Sequence, residues 1–210
     1  MRKNLGEQRR CLRRTLMIEE MSSSASAAVD EFSLRFSKQA GMIYPAKNPD
    51  EVASIINNLI QTRGKGDSCC SPDIALSYNG SRYDISRKVN GTISYEKLEK
   101  NPREVMGLID VGITMAEYGI AQTGTIVDVS FTDEHRLLSS LTRVHIAILE
   151  KGKILGKLSK LSPIMGNLLR PESEKKPSIT FIGGPSRTSD IELKSVLGVH
   201  GPHEVHVVLI

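Results

Sequence analysis

Residues 108–149 have the sequence LIDVGITMAEYGIAQTGTIVDVSFTDEHRLLSSLTRVHIAIL, in which short apolar runs alternate with turns and a helical segment. Residues 108–113, residues 125–131 and the run VHIAIL predict strands, whereas DEHRLLSSL predicts a helix. Strands that alternate with helices are typical of an α/β fold. The sequence therefore predicts an open, mostly parallel sheet that is covered by helices on both faces.

The clearest helix signal in the chain lies upstream, in NPDEVASIINNLIQTRG at residues 48–64. Asn48 suits the N-cap, Pro49 suits the first helical position, and Gly64 suits the end of the helix. The apolar side chains recur at helical spacing, at Val52, Ile55, Ile56, Leu59 and Ile60. They form one continuous stripe, which predicts a helix that packs on the core and carries no chemistry.

Residues 179–202, ITFIGGPSRTSDIELKSVLGVHGP, predict a strand, a glycine-rich loop and a second helix. Residues 179–182 are apolar and favour a buried strand. Ser189 and Glu192 fit the S-x-x-E capping box, so we expect a helix that begins near Asp190 and stops by Gly198. The run HEVHVVLI then predicts a last strand.

The loop between that strand and the predicted helix has the composition of an anion site. Two glycines allow a ligand to approach the backbone, while two hydroxyls and a guanidinium lie near a positive helix terminus. These candidate ligand-binding residues are Gly183, Gly184, Ser186, Arg187 and Thr188. The alternative is a tight turn that Ser186 and Thr188 tie down, with Arg187 paired to a neighbouring carboxylate.

A second loop, AQTGT, offers an amide, a flexible backbone and two hydroxyls directly before a strand. Its candidate residues are Gln122, Thr123, Gly124 and Thr125. Ligands of open α/β sheets sit beyond the carboxyl ends of the strands, and both loops are expected there. Together they predict one pocket for a phosphate or carboxylate. Alone, T-G-T also suits a simple tight connection.

The charge of the chain is concentrated at its start. Residues 1–21 carry +3 of the formal net charge of +4, so the remaining body is almost neutral and a nucleic-acid-binding face is disfavoured. The absence of Trp and an aromatic share of 4% disfavour stacking on single strands. We expect residues 1–41 to form a basic leader and an N-terminal helix, and residues 42–210 to form the α/β domain. The leader suits a flexible tail, an organellar transit peptide or a start site placed too far upstream.

Three cysteines, Cys11, Cys69 and Cys70, give neither a disulfide framework nor the spacing of a zinc or iron–sulfur site. No stretch approaches the roughly 20 apolar residues of a membrane span. We therefore expect a cytoplasmic protein without a membrane span, a bound metal or a cofactor.

Three blocks of sequence resemble the LUD domain of the lactate-utilisation protein C family. They are GITMAEYGIAQTGT (112–125), RLLSSL with VHIAI (136–148), and GPSRTSDIE with GVHGPHEVHVVL (184–209). The resemblance implies a fold similar to sugar-phosphate isomerases, CoA transferases and 5-formyltetrahydrofolate cyclo-ligase. The family commonly has an acidic residue where Gln122 stands, so a general base in that loop is disfavoured.

The resemblance also implies a function. The chain would be a non-redox subunit of a cytoplasmic system that oxidises L-lactate to pyruvate, beside partner proteins that carry iron–sulfur clusters. It would bind a small anionic metabolite, and it is compatible with a homo-oligomer. The alternatives are a stand-alone enzyme of the isomerase, transferase or cyclo-ligase type, and a regulatory module that senses a metabolite.

Among the remaining titratable residues, one is predicted to line the ligand pocket and the others are predicted to have structural roles. His200 is a pocket candidate because of its place in the last block, whereas His203 and His206 should point to opposite faces of one strand, which disfavours a metal site. His145 lies inside an apolar strand and favours a core histidine bonded to backbone. The carboxylates of Asp110 and Asp128 predict structural ion pairs, with Arg136 or Arg187 as the candidate partners.

Overall fold

The computed structural model describes residues 25–72, 74–169, 177–189, 195–198 and 200–210. The helices in this part of the chain are α1 (residues 25–38), α2 (Pro49–Arg63), α3 (Tyr95–Lys100), α4 (Pro102–Met106), α5 (Asp133–Ser140) and α6 (Ser162–Leu168). The strands are β1 (Met42–Pro45), β2 (Asp67–Cys70), β3 (Ala75–Tyr78), β4 (Ser81–Asp84), β5 (Thr92–Ile93), β6 (Ile109–Met115), β7 (Tyr118–Ile120), β8 (Thr125–Ser130), β9 (Val144–Leu149), β10 (Ile154–Leu155), β11 (Ser178–Ile182), β12 (Arg187–Ser189), β13 (Ser195–Leu197) and β14 (Glu204–Leu209).

The central sheet has six strands in the order β1-β14-β9-β6-β2-β5, and all neighbouring pairs are parallel. Every residue of β9 is buried, which is typical of a parallel strand with both faces covered. The prediction of an α/β fold with an open, mostly parallel sheet is confirmed.

Helices cover both faces of this sheet. On one face, α2 packs Val52, Ile56 and Leu59 into the cluster formed by alternate residues of β6 and β9. Asn48 caps α2 by accepting a hydrogen bond from the backbone N–H of Glu51 at 2.9 Å, as its sequence predicts. On the other face, Phe32 of α1 packs against residues of β9 and β14.

A second, four-stranded sheet lies over the same face as α1, in the order β10-β7-β8-β11. Strand β8 is antiparallel to both β7 and β11. Ile126 of β8 belongs to the core shared with α1 and the parallel sheet, whereas Val127 packs on the outer side with Ile164 and Met165 of α6. The predicted strand at residues 179–182 therefore belongs to this antiparallel layer and not to the parallel sheet.

The predicted helix from Asp190 to Gly198 is wrong in its described part, because residues 195–197 form a strand. Strands β12 and β13 pair antiparallel, with Arg187 opposite Leu197 and Ser189 opposite Ser195. The capping-box residues Asp190 to Glu192 lie outside the described residues. The hairpin is fastened to the loop before it, because the N–H of Gly198 donates to the carbonyl of Ser186 at 2.9 Å. Long-range pairing outweighs the local helix signal here.

None of the helices in the described part of the chain is long and apolar enough to cross a membrane.

Gly112 allows α5 to rest directly on β6. A Cβ at this position would clash with the carbonyl oxygen of Leu138 and lie 2.9 Å from its carbonyl carbon. We expect Gly112→Ala to lower the free energy of unfolding by roughly 2–3 kcal/mol, because backbone must move to admit the methyl group. Urea denaturation checks this. Gly166→Ala is the control, since a Cβ there meets nothing within 4 Å and alanine favours α6.

Candidate functional site

The two predicted loops meet at Gln39, the first residue after α1. The side-chain Nε2 of Gln39 donates hydrogen bonds to the carbonyls of Thr123 at 2.9 Å and Gly124 at 3.0 Å. On its other side, a Cβ on Gly183 would lie 2.5 Å from Gln39 Oε1, and one on Gly184 would lie 2.5 Å from the Gln39 carbonyl. The glycines are therefore needed for close approach, and one glutamine joins both loops.

A cavity of about 250 Å³ opens beside this junction. It is lined by Gln39, Gly183, Gly184, Pro185 and Arg187. Arg187 is exposed and forms no ion pair with another described residue. Its guanidinium is thus a source of hydrogen-bond donors and positive charge at the cavity wall. We call this space the Arg187 cavity.

The Arg187 cavity lies on the amino-terminal side of the parallel sheet. Gln39 precedes β1, and the N–H of Ser186 donates to the carbonyl of Pro202, just before β14, at 2.9 Å. Because β1 and β14 are parallel, both contacts mark the edge where these strands begin. The loops therefore do not lie beyond the carboxyl ends of the parallel strands, where the sequence places them, and Arg187 opens strand β12.

The other candidate residues have separate surroundings. The Oε1 atom of Gln122 accepts a hydrogen bond from the N–H of Leu158 at 3.1 Å. Thr125 opens β8 opposite Ile120, and the backbone of Thr188 pairs within the β12–β13 hairpin. His200 lines a different cavity of about 530 Å³, together with Leu141, Arg143, Gly198, Gly201 and His203. The structure thus joins the two loops but keeps His200 apart.

Asp110 forms an ion pair with Arg143, not with Arg136 or Arg187. Arg143 Nε and Nη2 donate to the two carboxylate oxygens at 2.9 and 2.8 Å. Burial opposes ionisation of Asp110, but the hydrogen bonds from Arg143 and from the backbone N–H of Lys65 outweigh it and lower the pKa of the carboxyl. The structural interpretation of this carboxylate is supported, with a different partner.

A polar cluster is buried between the parallel sheet and the second layer. The Asp128 side chain is 1% exposed, and its Oδ1 lies 3.3 Å from His135 Nε2. The partner of Asp128 is thus His135 and not Arg136 or Arg187, which the sequence predicts. His145 Nε2 lies 2.9 Å from Thr114 Oγ1, so this histidine bonds a side chain and not backbone. The sequence does not single out His135, although Asp128 and Ser130 share one face of β8.

Most atoms of this cluster lack hydrogen bonds. In the described part of the chain, six buried side-chain atoms have no hydrogen-bond partner, and five of them belong to Asp128, Ser130, His135 and His145. Unpaired buried polar atoms cost stability, so this cluster lowers the free energy of unfolding relative to a fully hydrogen-bonded one. No group of three metal-ligating side chains occurs among the described residues.

A further cavity, of about 500 Å³, lies at the carboxyl ends of β2 and β5. Its lining residues are Cys70, Ser71, Pro72, Ala75, Arg82, Asp84, Ser86, Thr92, Ile93, Ser94, Tyr95 and Glu96. Burial raises the pKa of the Cys69 thiol to about 11 and that of Cys70 to about 12, so both are protonated at neutral pH. Sequence patterns miss this cavity because it is assembled from short, irregular segments.

Burial lowers the pKa of His145 from 6.5 to about 4, although Asp128 opposes the shift. A group whose pKa is lower in the folded protein than in the unfolded chain binds more protons in the unfolded state. We therefore expect the free energy of unfolding to fall as pH drops from 6.5 to 4, by roughly 3 kcal/mol from this residue. Urea denaturation at several pH values tests this.

The matched variants are His145→Gln, which cannot titrate, and His200→Gln, which removes an exposed imidazole. The first should be less sensitive to acid than the wild type, and the second should behave like the wild type. An unchanged acid dependence in His145→Gln would contradict the assignment.

The model of the LUD domain family matches residues 29–210 of this chain. Similar proteins include Lactate utilization protein C of Exiguobacterium sp., 34% identical over 108 residues, which span 51% of this chain and 47% of that protein. Lactate utilization protein C of Halalkalibacterium halodurans is 40% identical over 94 residues, 44% of this chain and 40% of that protein. The aligned parts thus cover less than half of these two relatives.

The fold has a solved counterpart. The crystal structure of a DUF162 family protein from Deinococcus radiodurans superposes with a TM-score of 0.58 at 16% sequence identity. The superposition covers 88% of this chain and 97% of that one. At this identity the likeness concerns the fold alone.

Proposed function

Because the chain belongs to the LUD domain family, we propose that it serves in lactate utilisation, as a cytoplasmic subunit that binds an anionic ligand and carries no redox cofactor. The relatives named Lactate utilization protein C support the role in lactate utilisation. The exposed guanidinium of Arg187 beside a small cavity is the structural observation that carries the ligand class.

The Arg187 cavity suits a small 2-hydroxy acid. A guanidinium can bind both oxygens of a carboxylate, and this pair is stronger than a neutral hydrogen bond. The Nε2 of Gln39 donates to the carbonyls of Thr123 and Gly124. Its Oε1 lies beside Gly183 and can accept a hydrogen bond from a ligand hydroxyl. A volume of about 250 Å³ accommodates lactate or pyruvate with some water but is small for a nucleotide.

Electron transfer is assigned to partner proteins. The chain has three cysteines, and the thiols of Cys69 and Cys70 are buried and held in the protonated form. Neither favours coordination of an iron–sulfur cluster, because cluster ligands are thiolates. In this proposal the chain presents or senses the carboxylate while iron–sulfur subunits carry the electrons.

The ligand role of Arg187 is tested by calorimetry with L-lactate and pyruvate. We expect Arg187→Ala to weaken binding by roughly 10- to 100-fold, which corresponds to loss of a charged hydrogen bond. Arg187→Lys should be intermediate because an ammonium cannot form the planar double contact. Arg103→Ala, which removes an exposed guanidinium from α4, is the control. Equal affinity in folded Arg187→Ala would remove Arg187 from the site.

The subunit role is tested by affinity purification of the tagged chain from native extract. We expect iron–sulfur proteins to copurify, identified by mass spectrometry and by the visible absorption of the clusters. If the purified chain instead oxidises L-lactate alone, the subunit proposal is overturned and a stand-alone enzyme is favoured. Ligand binding without any copurifying partner would favour a metabolite sensor.

A further inference from the structure

We propose that the cavity at the carboxyl ends of β2 and β5, which we call the carboxyl-end pocket, is a second ligand site. It takes a small oxyanion that carries hydroxyl groups. The pocket is separate from the Arg187 cavity, which lies where β1 and β14 begin, so the two sites occupy opposite ends of the parallel sheet. The inference therefore goes beyond the proposed function and does not depend on it.

The position of the pocket follows from the sheet topology. Strands β2 and β5 are neighbouring parallel strands, and the pocket lies beyond the carboxyl end of both. Ligands of open α/β sheets bind outside the carboxyl ends of the strands. The β3–β4 hairpin follows β2 and contributes Ala75, Arg82 and Asp84 to the wall.

Ser71 is the second, independent observation. Ser71 lines the pocket, the residue is only 2% exposed, and its Oγ has no hydrogen-bond partner. The backbone N–H of Ser71 donates to the carbonyl of Ile113 at 2.8 Å, which holds the residue directly after β2. A hydroxyl that is removed from water and left unpaired costs free energy, and a ligand that bonds it recovers that cost.

The wall has the chemistry of a site for a hydroxylated oxyanion. Arg82 supplies a guanidinium, whose five N–H donors allow it to bind an oxyanion alongside its other interactions. Asp84 accepts from Ser86 Oγ at 2.6 Å and forms an ion pair with Arg87 at 3.0 Å, so its charge is already balanced. The carboxylate of Glu96 can accept from ligand hydroxyls, and Thr92 adds a hydroxyl.

The pocket favours reversible binding over covalent chemistry. The thiol of Cys70 is protonated because burial raises its pKa to about 12, which leaves it a poor nucleophile. The hydroxyl of Tyr95 is engaged with Thr132 Oγ1 at 2.6 Å. Recognition therefore falls to Ser71, Arg82 and the surrounding hydroxyls.

The test uses glycerol 3-phosphate and D-glycerate. Each compound carries two hydroxyls and one anionic group, which is a phosphate in the first and a carboxylate in the second. Inorganic phosphate and glycerol, each with half of these features, are the partial ligands. Calorimetry on the full chain should show saturable binding of at least one of the two hydroxylated anions, tighter than that of either partial ligand. Ser71→Ala should weaken the binding of glycerol 3-phosphate about tenfold, and Arg187→Ala should leave it unchanged. D-glycerate is itself a 2-hydroxy acid, so its binding to this pocket is measured in the Arg187→Ala background.

Ser71→Ala also separates a ligand role from a structural one. Because the Ser71 hydroxyl is unpaired, its removal should not lower the melting temperature of the unliganded protein. Ser68→Ala is the matched control, since the Ser68 hydroxyl is equally buried but donates to the carbonyl of Gly91 at 3.3 Å, and its loss should lower the melting temperature.

Three outcomes would overturn the second site. They are the absence of saturable binding by either hydroxylated anion, equal affinity in Ser71→Ala, and loss of this binding in Arg187→Ala alone. The last result would place the ligand in the Arg187 cavity and so support the proposed function while removing the second site. If Ser71→Ala fails to fold, Thr92→Val, which keeps the shape of the side chain, takes its place with the same expected loss.

Discussion

The fold depends on burying both faces of the parallel sheet. Its central strand β9 is buried along its whole length, so each face needs an apolar cover. On one face α2 provides it, while α1, α5 and the four-stranded sheet provide it on the other. Close approach of these layers is possible because Gly112 has no side chain where the carbonyl of Leu138 arrives and because Phe32 fills the space above β9 and β14.

The same constraint places polar groups in the interior. Strand β8 turns Ile126, Asp128 and Ser130 toward the parallel sheet, so an apolar residue and two polar residues share one buried face. An unpaired polar atom on a buried face reduces stability and brings no structural gain. Proteins therefore usually break the apolar pattern of a buried face at functional sites. The Asp128–His135 pair and the open Nδ1 of His145 are departures of this kind.

The two candidate ligand sites arise from different parts of this architecture. The Arg187 cavity lies where the loop after β11 packs on Gln39, which also binds the turn between β7 and β8. The carboxyl-end pocket is made where β2 and β5 end and the β3–β4 hairpin folds over them. The sequence motifs of the family fall mainly on the first, whereas the second is assembled from residues 70–96, whose pattern carries no motif.

The sequence by itself determined the elements with strong local signals. The capped helix α2 and the apolar strands β6, β9 and β14 are visible in residue order, because caps and hydrophobic periodicity act over a few residues. The tertiary structure alone decided that residues 187–189 pair with residues 195–197 and that β11 joins the antiparallel layer. It also decided that Asp110 meets Arg143 while Asp128 meets His135. Periodicity shows which face of a segment is buried but not what covers it, and that choice rests on contacts between residues far apart in the chain.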